Sequence, residues 1–531
     1  MFLNNPLNVQ QLIGFCLILF GGTLFLIKPV FGTRTRVQEN ALIGILLLCS
    51  ILATAYYLNF GQLRVFGKYG AQNYHPEEIF GQYIGSKYFR ETGYYDLYAC
   101  ASVAIQEMKA ETPRQPTPNL FTINDLTGKQ YLLTPSEVMA QYQGQCHDRF
   151  SGERWKEFKG DLRTMFDINM SDFWWRVTLS DVGYSSSPVY STIIGKIANL
   201  LPLSHCWKWL GYIDIFLYAL SAFFIWRTFG LYPLIGLLLI FGTNELSNYA
   251  WTAGSFFRAT WFTCLAIALC LLKNKKFFWA GVLFAAASAD RGFPLLFFIG
   301  ALAPLANDWF ESRGQKKEAY SLVKGFFITG CILFLLPIVV YGPGAWRDFF
   351  AHMAMYNHHI LTNKVGLINM FFYHHGYTGQ NFWWDAGRLR FEKWNAECWA
   401  VFNSRKWIYY SLAGLTTIAV LFTARKKSPA LAAMLVGGTL LFVLLSGLQY
   451  YYIYLALFPV VAWALPSNLY TNVRLSLIFV LIFSFKIIPI LIADGLMQFM
   501  YFSYALAAFF LLQVLIGLAE EAFPLQGTEK P

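Results

Sequence analysis

The feature that most constrains this chain is a recurrence of apolar runs, near or above membrane-spanning length, from one end to the other. A bilayer's hydrocarbon core is roughly 30 Å thick, and a helix needs about 20 apolar residues to cross it. The runs are continuous and do not alternate, so they point to helices and away from a barrel. Only 13% of residues are charged, against about 25% in soluble domains, which leaves too little polar surface for a water-exposed fold. The chain therefore reads as an all-α polytopic membrane protein. Its 18% aromatic content suits belts of Trp and Tyr at the membrane interfaces.

Spans are expected near 11–31, 41–59, 207–226, 231–246, 257–272, 277–290, 293–306, 322–342, 406–424, 430–446, 448–465, 475–493 and 499–518, about thirteen in all. Lys28, Arg34 and Arg36 follow the first span, and Lys273, Lys275 and Lys276 the fifth. Arg313, Lys316 and Lys317 follow the seventh, and Arg425, Lys426 and Lys427 the ninth. All follow odd-numbered spans, so one side receives them, and the positive-inside rule makes that side the cytoplasm. The parity requires that 188–203 not cross. It opens at Pro188 and contains Lys196, as an interfacial or re-entrant helix would. The region 277–306 holds Asp290 and Arg291 at its middle and reads as a tilted or half-buried hairpin.

This organises the chain into an N-terminal hairpin (1–59), a first external loop (60–206), transmembrane helices (207–342), a second external loop (343–405), and C-terminal helices with a short cytoplasmic tail (406–531). Loops this long are usually ordered and functional, so both are expected to carry short helices. The first run lacks a basic n-region and an A-x-A-like cleavage site, so it reads as a retained span. The net charge of +11 does not imply a nucleic-acid partner, because the basic residues sit in short turns between apolar runs. Nine cysteines include no CxxC, and most lie inside apolar runs. Cys100 and Cys146 share the first polar loop, and in an oxidising compartment they are candidates for a disulfide.

Polar residues gather just outside the second span, in NYHPEEIFGQYIGSKYF, with His75, Glu77, Glu78, Tyr83, Lys87 and Tyr88. Asp148, Arg149 and Asp181 follow in the same loop. Paired carboxylates beside a membrane surface can act as a general base or hold a metal ion, whereas any single one is more simply solvated loop charge. Arg291, with Arg258 on the same side, can bind an anionic group such as a phosphate, or Asp290 and Arg291 can be a structural ion pair. In HMAMYNHHILTNKVG, His352, His358, His359, Asn363 and Lys364 suit phosphate or sugar contact better than a metal, since their spacing, with His374 and His375 beyond, matches no standard zinc motif. The run SGLQYYYIYL, containing Tyr451, reads by default as an interfacial aromatic belt.

The order of these pieces resembles the GT-C class of membrane glycosyltransferases, above all the polyprenol-phosphate-mannose-dependent glycosyltransferase family 87 and its uncharacterised relatives. The matching stretches are EEIFGQYIGSKYFRETGYYDLY after an early span, GYSSSPVYSTIIGKIANLLPL opening a membrane-surface helix with Ser in place of the first proline, and KNKKFFWAGVLFAAASADRGFPLL with Arg291 at the cation position. They are spread over residues 60–460, and each is short. The N-terminal hairpin adds a span that simple members lack, and the acidic position, often Asp in the class, falls here on Glu78 or its neighbour Glu77.

The resemblance implies transfer of mannose or another monosaccharide from a polyprenyl-phosphate donor to a glycan, glycolipid or protein acceptor, with inversion. Glu78 is then the base, with Glu77 and Asp181 as alternatives. Arg291, Arg258, Lys364, His358 and His359 are candidates for the donor phosphate, and His75, Tyr83, Tyr184, Asn363 and Tyr451 for substrate contact. The active site would face the periplasm or exterior of a cell membrane, a bacterial plasma membrane by this resemblance. No metal site is assigned, and a divalent cation, Mg or Mn, stays open as a cofactor. The competing readings are a lipid-linked glycan flippase or transporter, an O-antigen-ligase-like enzyme using a pyrophosphate donor, and an inactive scaffold.

Overall fold

The computed structural model describes residues 9–30, 35–63, 74–118, 120, 123–126, 132–168, 171–311, 316–373, 392–465 and 467–523. Arg34, Arg313, His374 and His375 lie outside them. The chain is helical almost throughout, with two short antiparallel strand pairs among the described residues. Among the described residues, seven helices are long and apolar enough to cross a membrane: Val9–Ile27, Arg36–Tyr57, Leu203–Phe229, Lys316–Tyr341, Lys393–Ala424, Leu469–Leu491 and Gly495–Ala522. Shorter apolar helices, Leu231–Thr243, Thr260–Lys273, Leu295–Trp309 and Pro429–Leu444, pack among them. Lys316–Tyr341 leaves Phe327, Ile332, Leu335 and Val339 exposed, as a lipid-facing helix does.

Two segments depart most from the sequence reading. The helix read as 406–424 begins at Glu392, so its first turns rise out of the second loop. The run read as 448–465 opens as a 3-10 helix, Gln449–Leu457, before the α-helix Phe458–Trp463. The tighter winding turns its tyrosines inward: Tyr452 and Tyr454 are fully buried, so an exposed interfacial belt does not describe this segment.

The helix Phe277–Arg291, which ends at Arg291, crosses Lys316–Tyr341 at backbone contact. A Cβ on Gly281 would meet the Leu322 carbonyl oxygen at 2.1 Å, and one on Gly325 the Phe278 carbonyl oxygen at 2.0 Å. Small residues at such crossings let membrane helices approach closely. The basic turn after Ala424 is neutralised by the end of the last helix, with Lys426 at 2.7 Å from Glu521 and Lys427 at 2.8 Å from Glu520.

The first loop forms a helical cap with its own apolar core of Phe80, Tyr88, Phe158, Phe166 and Trp175, among others. The helices Leu97–Glu111 and Pro135–Arg149 are joined by a Cys100–Cys146 disulfide. Lys87 is buried against Asp161 at 2.7 Å and Glu157 at 2.8 Å, and Arg149 pairs with Asp96, so these charges serve the cap's own structure. The helix Pro188–Leu200, N-capped by Ser187, is largely buried against the cap. In the second loop, Gly344–His358 is helical, and Lys364–Val365 pairs with Gly447–Leu448, Lys364 opposite Leu448. That pairing fastens the loop to the head of the tyrosine helix.

Candidate active site

The polar cluster of the first loop starts a helix. Pro76 occupies its first turn, where a missing N–H costs nothing. After Glu78 the backbone widens into a π-helical turn, Ile79–Ile84, a form found often at functional sites. Glu78 Oε1 lies 2.9 Å from Arg258 Nη1. Its Oε2 accepts from Gln82 Nε2 at 3.1 Å and from Ser255 Oγ at 3.5 Å. The Arg258 guanidinium sits 4.0 Å from the centre of the Tyr450 ring. One carboxylate, one guanidinium and one aromatic face are thus stacked in a nearly closed space, the Arg258 side chain being 7% exposed.

The two adjacent glutamates are driven in opposite directions. Burial alone would raise the Glu78 carboxyl, but Arg258, then His75, Arg291 and the Gln82 hydrogen bond outweigh it and hold it below the ordinary carboxylate range. Burial, with Asp181 and Glu78 nearby, pushes Glu77 up to about 8. At neutral pH Glu78 is ionised and Glu77 protonated, the division of states that separates a base from an acid in paired carboxylates. Burial lowers His75 to about 4, so its ring is neutral.

Arg291 lies within electrostatic reach of Glu78, Arg258, Tyr450, Tyr451 and Tyr190. It ends its helix at Gly292, whose φ of +61 turns the chain back. Its Nε is 3.9 Å from Asp290 Oδ1, and it has no hydrogen-bond partner among the described residues. A buried guanidinium with an unused donor is suited to receiving an anion. Lys364 is nearby through Tyr356, whose ring centre is 5.4 Å from Nζ. Its Nζ donates to the His359 carbonyl at 2.8 Å, and burial lowers it to about 8.

The structure brings Glu77, Glu78, Asp181, His75, Arg258, Arg291 and Tyr451 into one electrostatic neighbourhood, with Tyr356 between them and Lys364. Each of the other candidates has a partner of its own, and Tyr184 also lies within electrostatic reach of Arg291. Tyr83 is fully buried in the cap, its hydroxyl donating to the Ala198 carbonyl at 2.9 Å. Tyr184 packs on Gly85 and bonds Ser191 at 2.8 Å. His358 stacks on Trp399, His359 Nδ1 meets Asn395 Nδ2 at 2.7 Å, and the Asn363 carbonyl accepts from the Gln449 N–H at 3.1 Å. His352 is enclosed by Tyr94 and Tyr95. Among the described residues no group of three or more His, Cys, Asp or Glu is placed to hold a metal ion.

Sequence reasoning missed Gln82, Ser255, Asp214, Tyr356 and Tyr450. Gln82 had a signal, standing four residues after Glu78 on the same helical face. Asp214 also had one, as a lone acid within an apolar run. The tyrosines and Ser255 had none, since their partners are distant in sequence.

Compared with known proteins, the model of glycosyltransferase family 87 matches residues 188–447. Arg258, Arg291, Lys364 and Asp214 fall inside the match, and the carboxylates Glu77, Glu78 and Asp181 precede it. No curated protein and no solved structure matches the chain. The chain thus resembles glycosyltransferase family 87 over this stretch, which supports a glycosyltransferase carried on membrane helices.

Proposed function

We propose that this membrane glycosyltransferase moves one sugar from a polyprenyl-phosphate donor to an acceptor hydroxyl, with inversion, at the outer face of a cell membrane. The observation that carries the reading is the pairing of an ionised carboxylate, Glu78, with a set of buried cations under a tyrosine wall. A donor whose tail stays in lipid must offer its phosphate at a bilayer surface, and such a site has to bind that phosphate and deprotonate a hydroxyl.

The acceptor oxygen attacks the anomeric carbon as the bond from that carbon to the phosphate oxygen breaks. The leaving phosphate keeps the bonding electrons. Arg291, with its unused Nε donor, neutralises the charge that develops there. Glu78 takes the hydroxyl proton, being ionised at neutral pH. Arg258 holds Glu78 in place and in its charged state. Lys364 adds a second positive charge toward the phosphate. One displacement and one base give inversion. The basic turns on the opposite side support an outward-facing site.

The test is donor turnover by the purified protein. Polyprenyl-phosphate mannose, other monophosphate sugars and pyrophosphate-linked glycans are each supplied with cell-envelope extract, and the released lipid phosphate is followed by mass spectrometry. Release from a monophosphate donor is expected. Release from pyrophosphate donors alone would replace this reading with that of an O-antigen-ligase-like enzyme, and transport of intact donor without cleavage would replace it with that of a flippase.

A further inference from the structure

Asp214 is fully buried on the helix Leu203–Phe229, in the apolar part of the molecule, where a carboxylate persists only if its oxygens are satisfied. Both are satisfied by one loop. Oδ1 accepts from the Ala259 N–H at 2.8 Å, and Oδ2 from the Ser255 N–H at 3.2 Å. Between these two amides the chain turns through Phe257, a non-glycine residue at φ +57, just after Gly254 at φ +72. Left-handed backbone at a bulky residue persists only when its surroundings hold it. Two further bonds pin the same loop: the His75 N–H donates to the Gly254 carbonyl, and the Tyr190 hydroxyl to the Phe256 carbonyl. The side chains this loop delivers are Ser255 and Arg258, and both contact Glu78.

We propose that Asp214 is a positioning residue: its two carboxylate oxygens clamp the 255–259 turn and so fix Arg258 between Glu78 and the Tyr450 ring. Two amides four residues apart require two acceptors on one short side chain. An asparagine offers one oxygen, and its amide hydrogens would face the other N–H. With the clamp loosened, Arg258 no longer holds Glu78 ionised as firmly. The groups that face Glu78 are His75 and Glu77 on its own segment, Arg258 on the loop, Asp214, Arg291, and the tyrosines Tyr356 and Tyr450. Among the described cations, Arg258 is the one in direct contact. Loss of its hold raises the Glu78 carboxyl, and the acid limb of activity moves to higher pH.

This inference rests on the reading of Glu78 as base, so the experiment has two arms. In the first, full-length wild type, Asp214→Asn and Asp214→Glu are compared for donor turnover across pH. Turnover by Asp214→Asn is expected to fall about 10- to 100-fold at neutral pH, with its acid limb moved upward, and Asp214→Glu, which keeps both acceptors, to recover most of the loss. In the second, labelling of Arg258 by phenylglyoxal is read by peptide mass spectrometry, with no activity needed. Arg258 is expected to be protected in wild type and labelled in Asp214→Asn. A folded Asp214→Asn with Arg258 still protected and the pH profile unmoved would overturn the proposal, whether or not overall activity falls. If wild type turns over no donor, the functional reading fails, while the labelling arm still decides the role of Asp214. If Asp214→Asn does not fold, Asp214→Ser takes its place. Failure of both to fold would assign Asp214 to stability alone and overturn the positioning role.

Discussion

Glu78 and Arg258 meet at 2.9 Å, the one on the first long loop and the other between two apolar helices, and the Tyr450 ring covers the guanidinium at 4.0 Å. Three distant parts of the chain thus converge on one charge pair. A buried pair broken on one side leaves the other charge uncompensated, so Arg258→Met should do more harm than a lost surface contact. Donor turnover should fall at least about 100-fold, with Arg258→Lys recovering only part, because a lysine cannot keep the planar stack on Tyr450.

The Tyr450 ring, not its hydroxyl, is what Arg258 uses. Tyr450→Phe should keep near wild-type turnover. Tyr450→Ala should lower it about tenfold, the loss of a desolvated cation–π contact worth about 1–2 kcal/mol. Equal loss in both variants would assign the role to the hydroxyl.

Lys364 supplies a pH signature. Its folded-state value is lowered to about 8 by burial, so its charge is present below that pH and lost as pH rises through it. If Lys364 helps to bind the donor phosphate, the donor KM rises above about pH 8. In Lys364→Arg, which stays charged, that rise should vanish. Glu77 also titrates at about 8, so the same profile is measured in Glu77→Gln. Persistence of the rise there assigns it to Lys364, and its disappearance assigns it to Glu77.

The cap depends on its cross-link. The Cys100–Cys146 bond spans 46 residues in sequence, and closing such a loop in the unfolded chain is worth about 2–4 kcal/mol. Cys146→Ser should lower the melting temperature of the detergent-solubilised protein, and reductant should produce the same loss in wild type. An unchanged melting curve in both cases would show that the cap is held by its aromatic core alone.

Much of this molecule was open to reading from its sequence. Apolar runs report spans directly, because lipid demands about 20 continuous residues. Glu78, Arg258 and Arg291 stood out because charges beside or within such runs are costly. What stayed hidden is long-range. Tyr450 looked like a belt residue because nothing local shows that its segment winds as a 3-10 helix and turns its tyrosines inward. The burial of Tyr83 and Tyr184 was hidden because it depends on how the cap's helices pack. The loop that presents Arg258 is set by Asp214, Tyr190 and His75, none of them adjacent to it in sequence.

The most direct measurement compares wild type with Glu78→Gln in release of polyprenyl phosphate from a monophosphate sugar donor, after confirming that both proteins melt alike. A positioned general base contributes about 10²- to 10⁴-fold. The expected result is release by wild type and a loss of at least about 100-fold in the variant. Release by Glu78→Gln within a few-fold of wild type would contradict the central claim and move the base to Glu77 or Asp181.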